Sequence, residues 1–379
     1  MSQPIRILQV VGAMNRGGIE TWLMHVLRHI DRERFQMDFL VHTIEPAAYD
    51  EEILSLGGQI HRIGNTRKVG SYAFQLNTIL RKFGPYRVIH SHAYYFSAIP
   101  IAVAAANGIP VRIAHFHPLY DMKPHSMIRR LYLSGSSWLL SRFATCILAN
   151  TYATRDSILQ SFQGTHPPID VLYCGLDLSR FHRPVDRVRI RTEMGLPIEQ
   201  PLVVYVARFT SHKNHRQALR IVDAWRDIGF HAHMVFAGSH GELQDDLVKS
   251  ASTRNNITVF CGLEDISDLL LASDLFFFPS LHEGFGLVAV EAQAAQLPVV
   301  ATSLPTIREA CAPQLHPYLF PADDDDSALT NLSTILQDDS LRSSLGIFGK
   351  HWAARFDIDR TIAELTKLYE ASEGSGVKL

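Results

Sequence analysis

Ten short apolar segments punctuate the chain: Ile5–Val11, Met37–Val41, Arg87–His90, Val111–His115 and Cys146–Ala149, then Leu202–Val206, His233–Ala237, Ile257–Phe260, Leu275–Pro279 and Val299–Ala301. They lack the polar–apolar alternation of a strand with one wet face. Each therefore reads as a parallel strand covered on both sides, with the longer amphipathic stretches between them supplying the crossover helices. This alternation admits doubly wound α/β layers and little else. It lapses once, between Ile169 and Pro201, where charge, Gly, Pro and short turns dominate, and restarts at Pro201. A chain of 379 residues also exceeds the roughly 250–300 residues at which single cores stop growing. The expected organisation is two Rossmann-like parallel-sheet domains facing a central cleft. The first covers 1–172 and the second 199–357, with a linker over 173–198. An amphipathic helix over about 358–372 is expected to pack back on the first domain, ahead of a frayed tail.

Composition narrows the classes. Apolar residues make up 46% and charged residues 20%, which suits a packed enzyme and excludes a disordered chain or a fibre. A net charge of −2 gives no nucleic-acid signal. The charge is uneven, with 18 Lys and Arg against 12 Asp and Glu in residues 1–180, and 18 against 26 in the remainder. The basic half suits an anionic surface or acceptor, or simply carries solvated faces. Cys146, Cys174, Cys261 and Cys311 show no metal or redox spacing and sit in or beside apolar stretches. Four reduced, buried thiols in a cytoplasmic protein are expected. The start lacks signal-peptide features, and no apolar run approaches the ~20 residues of a membrane span. The stretch Ser126–Phe143 mixes Arg129, Arg130 and Arg142 with Trp138 and aliphatic residues. Its apolar positions are taken as core, and peripheral contact with an anionic leaflet is the alternative.

Three motifs carry chemistry. After the first strand comes Gly12-Ala-Met-Asn-Arg-Gly17-Gly18-Ile-Glu20-Thr21, a glycine turn into a helix whose N-terminus favours an anion. It is not GxGxxG, and the next strand ends Val41-His42 without an acid, so a nicotinamide dinucleotide is disfavoured. After Leu275–Pro279 comes His282-Glu283-Gly284-Phe285-Gly286-Leu287-x3-Glu291. Its glycines free backbone N–H groups at a helix start, and its two carboxylates can grip hydroxyls at separated points. After Leu202–Val206 comes Arg208-x4-Lys213-Asn214. Cations at that strand end suit a diphosphate and would stabilise it as a leaving group.

With these residues in hand, the chain resembles the retaining glycosyltransferases of family 4, which have the GT-B architecture. The resemblance covers nearly the whole length, and MNRGGIET, FLVH and ARFTSHKNH look like the branch that builds capsular and exopolysaccharides. It implies that Glu291 binds ribose hydroxyls and that Glu283 with Gly284, Phe285, Gly286 and Leu287 holds the donor sugar. It implies that Arg208 and Lys213 clamp the diphosphate and that Gly17 and Gly18 approach the phosphates. It further implies transfer with retained configuration, without an obligatory enzyme nucleophile and without a metal or other cofactor.

The family places a functional His at the strand end Arg112-Ile-Ala-His115-Phe-His117, where His117 fits best. It would contact the donor sugar or assist proton movement from the acceptor. His115, His90 and His92 line the acceptor side or are structural. Where many relatives have a Gly-Gly after Val299–Ala301, this chain reads Thr302-Ser303, whose hydroxyls are the remaining candidates for phosphate contact. Asp323–Asp326 imitates a DxD metal motif, but it follows a Pro and precedes a helix, so capping and solvated surface explain it.

The expected partners are a nucleotide-sugar donor, UDP-hexose ahead of GDP-mannose, and a saccharide or lipid-linked saccharide acceptor. A nucleotide-sugar epimerase of similar fold and an inactive nucleotide-sugar-binding subunit are the competing functions.

Overall fold

The computed structural model describes residues 3–119, 126–162, 164–239 and 241–371. The tail from Glu373 onward lies outside them. The chain forms two compact units, one of residues 1–176 with 358–379 and one of residues 177–357.

The first unit holds a seven-stranded parallel sheet of β1 (Ile5–Val11), β2 (Phe35–Val41), β3 (Ile60–Arg62), β4 (Val88–Ser91), β5 (Val111–Phe116), β6 (Cys146–Ala149) and β7 (Ile169–Val171), in the order β3-β2-β1-β4-β5-β6-β7. The second holds a five-stranded parallel sheet of β8 (Leu202–Val206), β9 (His233–Gly238), β10 (Ile257–Cys261), β11 (Leu275–Phe278) and β12 (Val299–Ala301), in the order β10-β9-β8-β11-β12. All ten apolar runs are strands. The two that the sequence pattern missed, β3 and β7, span three residues each at the two sheet edges. Their sequences, IHR and IDV, each place a polar side chain in a three-residue strand and so lack the apolar run of the other ten.

Chain reversal in the first unit is fixed by its last helix, Ile358–Glu370. Its first residue donates Ile358 N–H to the Leu176 carbonyl at 2.9 Å, and Thr361 donates its hydroxyl to the Tyr173 carbonyl at 3.1 Å. Gly175 permits this approach, because a Cβ there would sit 2.3 Å from the Thr361 Oγ1 and 3.0 Å from the Ile358 Cα. At the other end Arg34 pairs with Glu370, and Arg87 donates to the Ala371 carbonyl at 3.1 Å.

Residues 177–198, expected as linker, instead belong to the second unit. Their helix Arg187–Glu193 packs through Arg191, which is 6% exposed. Its guanidinium donates to the carbonyls of Ala272 (2.9 Å), Ile198 (2.9 Å) and Gln200 (3.1 Å), and to Asp274 at 2.7 Å. Asp274 in turn accepts the Leu202 N–H at 2.7 Å, at the start of β8. A buried, paired Arg reads as ordinary surface charge in a sequence, which is why the segment looked like a connector.

Two other expectations change. Cys146, Cys174 and Cys311 are buried, but Cys261 at the end of β10 is exposed. In the helix Met127–Phe143 only part of the apolar side is core: Leu140 is buried with Ser136 and Ser137, and Tyr132, Leu133, Leu139 and Phe143 pack against the core, but Met127, Ile128, Leu131 and Trp138 are exposed. Small hydroxyl residues let this helix lie close to its neighbour, which turns the large apolar side chains outward.

Replacing Arg191 by Met removes the buried partner of Asp274, a largely buried carboxylate, leaving it the more exposed Arg187 and the Leu202 N–H. Breaking such a pair costs about 3–5 kcal/mol. Urea denaturation of Arg191→Met should show a loss of about that size, while a change under 1 kcal/mol would mean that the segment is not held this way.

Candidate active site

In the second unit, the motif residues converge at the C-terminal ends of β8 and β11. Backbone after β8 passes Arg208 into a short 3-10 turn, Ser211–Lys213, and then Asn214 takes a left-handed conformation (φ 56°) that starts the helix His215–Asp227. Asn214 tolerates this because its short amide also bonds Asp323 and Gln217, both at 2.9 Å. After β11 the chain runs through Glu283 to Gly286, whose φ of 86° makes it the N-cap of the helix Leu287–Ala294. Phe285 is buried and packs edge-on against Phe356, with centroids 5.1 Å apart.

These turns bring Lys213 against Glu283, where the ammonium donates to Oε1. The ammonium also lies 5.7 Å over the Phe278 ring. The peptide bearing Glu283 is pinned by Thr306, whose hydroxyl donates to its carbonyl at 3.0 Å. Arg208 is exposed and makes no ion pair with a described residue. Burial pushes the Glu291 carboxyl up to about 7, with Arg180 drawing it down and Asp265 raising it further. The Thr302 hydroxyl is buried and has no hydrogen-bond partner among the described residues, whereas the Ser303 hydroxyl accepts from Arg308 at 3.4 Å. One end of the site thus holds a cation–carboxylate pair, and a second, partly protonated carboxyl sits within the helix.

The acidic run Asp323–Asp326 caps and pairs, as its position suggested. Asp324 accepts the Ser327 N–H at 3.0 Å at the start of the helix Asp325–Gln337, and Asp325 pairs with Arg220.

In the first unit, Gly17 is the extended N-cap of the helix Gly18–His29, which begins at Gly18. The histidines are gathered rather than spread. His90 and His92 are two apart on β4 and just past it, and His115 and His117 are two apart on β5 and just past it, so all four share one sheet face. Trp22 meets all four rings at centroid distances of 5.3–6.5 Å.

The four rings are linked. His117 Nε2 bonds His92 Nδ1 at 3.0 Å, and His92 Nε2 bonds Gln9 Oε1 at 2.9 Å. Gln9 Nε2 donates to the Tyr369 hydroxyl at 3.1 Å, which bonds His90 Nδ1 at 2.9 Å, and His90 Nε2 meets His115 Nδ1 at 3.3 Å. His117 Nδ1 lies 3.8 Å from the Cys174 sulfur. Both nitrogens of His117 thus face protein groups, and the ring keeps 5% exposure at the strand end. His90 and His115 lie within the protein, not on an acceptor surface.

Among the described residues, His90, His92 and His115 are the one set of nitrogens close enough, within 4.8 Å, to converge on a metal ion. All of their nitrogens but His115 Nε2 are already paired in the chain just described, which favours a hydrogen-bonded network. Gln9, Trp22, Tyr369 and Cys174 escaped the sequence reading. The one available signal was Gln9, a polar residue inside the apolar run of β1.

Comparison with known proteins accounts for this arrangement. Residues 16–180 match the profile of Glycosyltransferase Family 4, and residues 186–352 that of Glycosyl transferases group 1. The chain is 30% identical over 303 residues, 78% of each protein, to the glycosyltransferase EpsF of Bacillus subtilis. The chain belongs to glycosyltransferase family 4. This family 4 enzyme is also 24% identical to the capsular polysaccharide biosynthesis glycosyltransferase CapH of Staphylococcus aureus, over 79% of the chain and 82% of CapH. Its fold is that of Anabaena HepE, solved with UDP and glucose (TM-score 0.78, 18% identity, 96% of this chain and 98% of HepE). The architecture is GT-B, and the epimerase alternative is not favoured.

Burial holds the His90 and His117 rings neutral, pushing each down to about 3. The unfolded chain binds protons on these groups near the ordinary 6.5, so it binds more protons than the folded state between about pH 3 and 6.5. Stability should thus be full above pH 6.5 and fall as the pH drops below it. By pH 5.5 the loss should be roughly 1.4 kcal/mol per histidine, or about 3 kcal/mol for the pair. Urea midpoints at pH 7.5 and 5.5 measure this, and a pH-independent midpoint would contradict the neutral network.

Proposed function

We propose that this glycosyltransferase moves a hexose from UDP to a hydroxyl acceptor in capsular or exopolysaccharide assembly, with retention of configuration and without a metal. The observation that carries the reading is the Lys213–Glu283 pair at the C-terminal ends of β8 and β11, with Glu291 eight residues on. In the absence of donor the two side chains satisfy each other. With donor, the diphosphate takes the ammonium of Lys213, and the sugar hydroxyls take the Glu283 carboxylate and the amides at Gly284–Gly286. Glu291 then accepts from the ribose. Arg208 and Lys213 stabilise negative charge on the departing diphosphate, a contribution of electrostatics that needs no enzyme nucleophile. His117 serves the acceptor hydroxyl. UDP is favoured because HepE was solved with UDP and UDP-glucose, and the polysaccharide role because EpsF and CapH are the relatives.

The exposed face of the helix Met127–Phe143 supports a second element of the reading, peripheral contact with an anionic leaflet on the cytoplasmic side. Met127 is 75% exposed, Ile128 81%, Leu131 69% and Trp138 65%. At 3.6 residues per turn these fall on one stripe, and the exposed Arg130 and Arg142 flank it. An apolar stripe edged by cations matches a bilayer interface carrying negative headgroups. No described helix is long and apolar enough to cross a membrane. A lipid-linked acceptor would be met at such a surface.

Thermal shift with UDP, GDP, ADP and TDP and their sugars tests the donor site. UDP and UDP-glucose should raise the melting temperature. Lys213→Ala should weaken UDP binding about 10- to 100-fold, the effect of losing a hydrogen bond from a charged donor, and Glu291→Gln should weaken UDP more than inorganic pyrophosphate. No shift with any nucleotide, from folded protein, would return the inactive-subunit reading.

Flotation with vesicles containing phosphatidylglycerol, against pure phosphatidylcholine, tests the membrane face. Binding should require the anionic lipid and drop at least fivefold in Ile128→Ser/Trp138→Ser. Equal flotation of the double variant would remove this face from the proposal.

A further inference from the structure

The hydrogen-bond chain through the first unit has a direction, and two of its ends fix it. Every interior member is neutral, so each imidazole carries one N–H and one lone pair. Gln9 sets the sense from the middle: its oxygen faces His92 Nε2 and its amide nitrogen faces Tyr369. His92 must then carry its proton on Nε2 and accept on Nδ1 from the Nε2–H of His117. That leaves a lone pair on His117 Nδ1. On the other branch Tyr369 donates to His90 Nδ1, and His90 donates from Nε2 to His115 Nδ1.

Turning the Gln9 amide over would reverse every link. The ends oppose that. Cys174, next to His117 Nδ1, is held as a thiol because burial pushes its ionisation well up, and its S–H can donate to a lone pair on that nitrogen. At the far end, the backbone of Leu172 favours a proton on the His115 ring. Its Nε2 makes no hydrogen bond to a described residue in either sense, so the preference at this end comes from the Leu172 backbone alone. Both ends thus favour the same sense as the Gln9 amide.

We propose that Gln9 and Tyr369 are positioning residues that act through His92 to hold His117 in its Nε2–H tautomer, with Nδ1 as a hydrogen-bond acceptor. The proposal rests on the reading that His117 serves the acceptor hydroxyl, and it says how. A lone pair on Nδ1 accepts from a hydroxyl and cannot donate to a phosphate oxygen. The logic is that of a base oriented by a second group that is itself oriented by a third. The network is closed at His90 and His115, which are 0% exposed, and keeps surface only at His92 and His117, 7% and 5% exposed. These lie at the strand ends, where doubly wound sheets bind ligands. There the direction of Nδ1 is filled only by the 3.8 Å contact to a thiol, a weaker donor than an alcohol. The C-terminal helix, some 250 residues from His117 in sequence, thereby sets which of its nitrogens accepts.

The test uses the full chain labelled with 15N-histidine, with the His117 resonances assigned by His117→Ala. Long-range 1H–15N spectra should show His117 as one neutral Nε2–H tautomer at pH 7.5. Tyr369→Phe, which removes one oxygen, and Gln9→Met should each convert it to a mixture with the Nδ1–H form. If Tyr369→Phe fails to fold, Gln9→Met carries the measurement. An Nδ1–H tautomer in the unaltered protein, or an unchanged Nε2–H tautomer in both variants, overturns the proposal. UDP release from UDP-glucose separates this from the reading beneath it. The positioning variants should lower kcat about tenfold with KM unchanged, and His117→Ala at least as much. Unchanged turnover in His117→Ala would overturn the role of His117 whatever its tautomer.

Discussion

A parallel sheet covered on both faces offers water to its backbone and side chains only at the strand ends. Any polar group inside must find its partner within the protein. Both units follow this constraint. The apolar runs of β1, β4, β5, β8 and β11 make the interior, and the polar residues that keep access to the surface collect past the last residue of each strand. Arg208 and Lys213 follow β8, Glu283 follows β11, and His92 and His117 follow β4 and β5. The chemistry sits there because those are the positions where a side chain can be fixed by a strand and still meet a ligand.

The same constraint explains the polar residues that do enter the sheets. Asp38, 0% exposed within β2, is surrounded by Arg6 at 2.5 Å, the Tyr86 hydroxyl at 2.9 Å and the Gln59 N–H at 3.0 Å. Gln9, His90 and His115 are equally buried and meet each other through Tyr369. Such groups stabilise little when paired but cost much when one partner is lost. They bind the fold of the first unit to one particular C-terminal helix, whose tyrosine completes the set. In the second unit Arg191 and Asp274 do the same for the segment that follows Leu176.

Much of this was readable in the sequence. Eight interior strands and the edge strands β10 and β12 of the second sheet appeared because each is apolar over most of its length. The glycine turn at Gly284–Gly286 and the cations after β8 were visible because loops at strand ends leave local residue patterns. The edge strands β3 and β7 were not visible, since each has a polar residue among only three positions, whereas the equally short β12 is wholly apolar. The boundary at Leu176 was missed because Arg191 is charged, and charge in a sequence signifies surface until a partner is known. The outward Met127, Ile128, Leu131 and Trp138 were misassigned for the complementary reason: apolar side chains were taken as core, while Ser136 and Ser137 hold that place.

The sequence by itself determined the fold class, the order of the strands along the chain and the donor motif, because each depends on residues near one another. Only the tertiary structure decided what the four histidines are. His90 and His92 are separated from His115 and His117 by more than twenty residues, and Gln9 and Tyr369 lie near opposite ends of the chain. Their protonation and their hydrogen-bonding sense are properties of the assembled set. Desolvation and pairing act through space, and no spacing along the chain encodes which donor will face which lone pair.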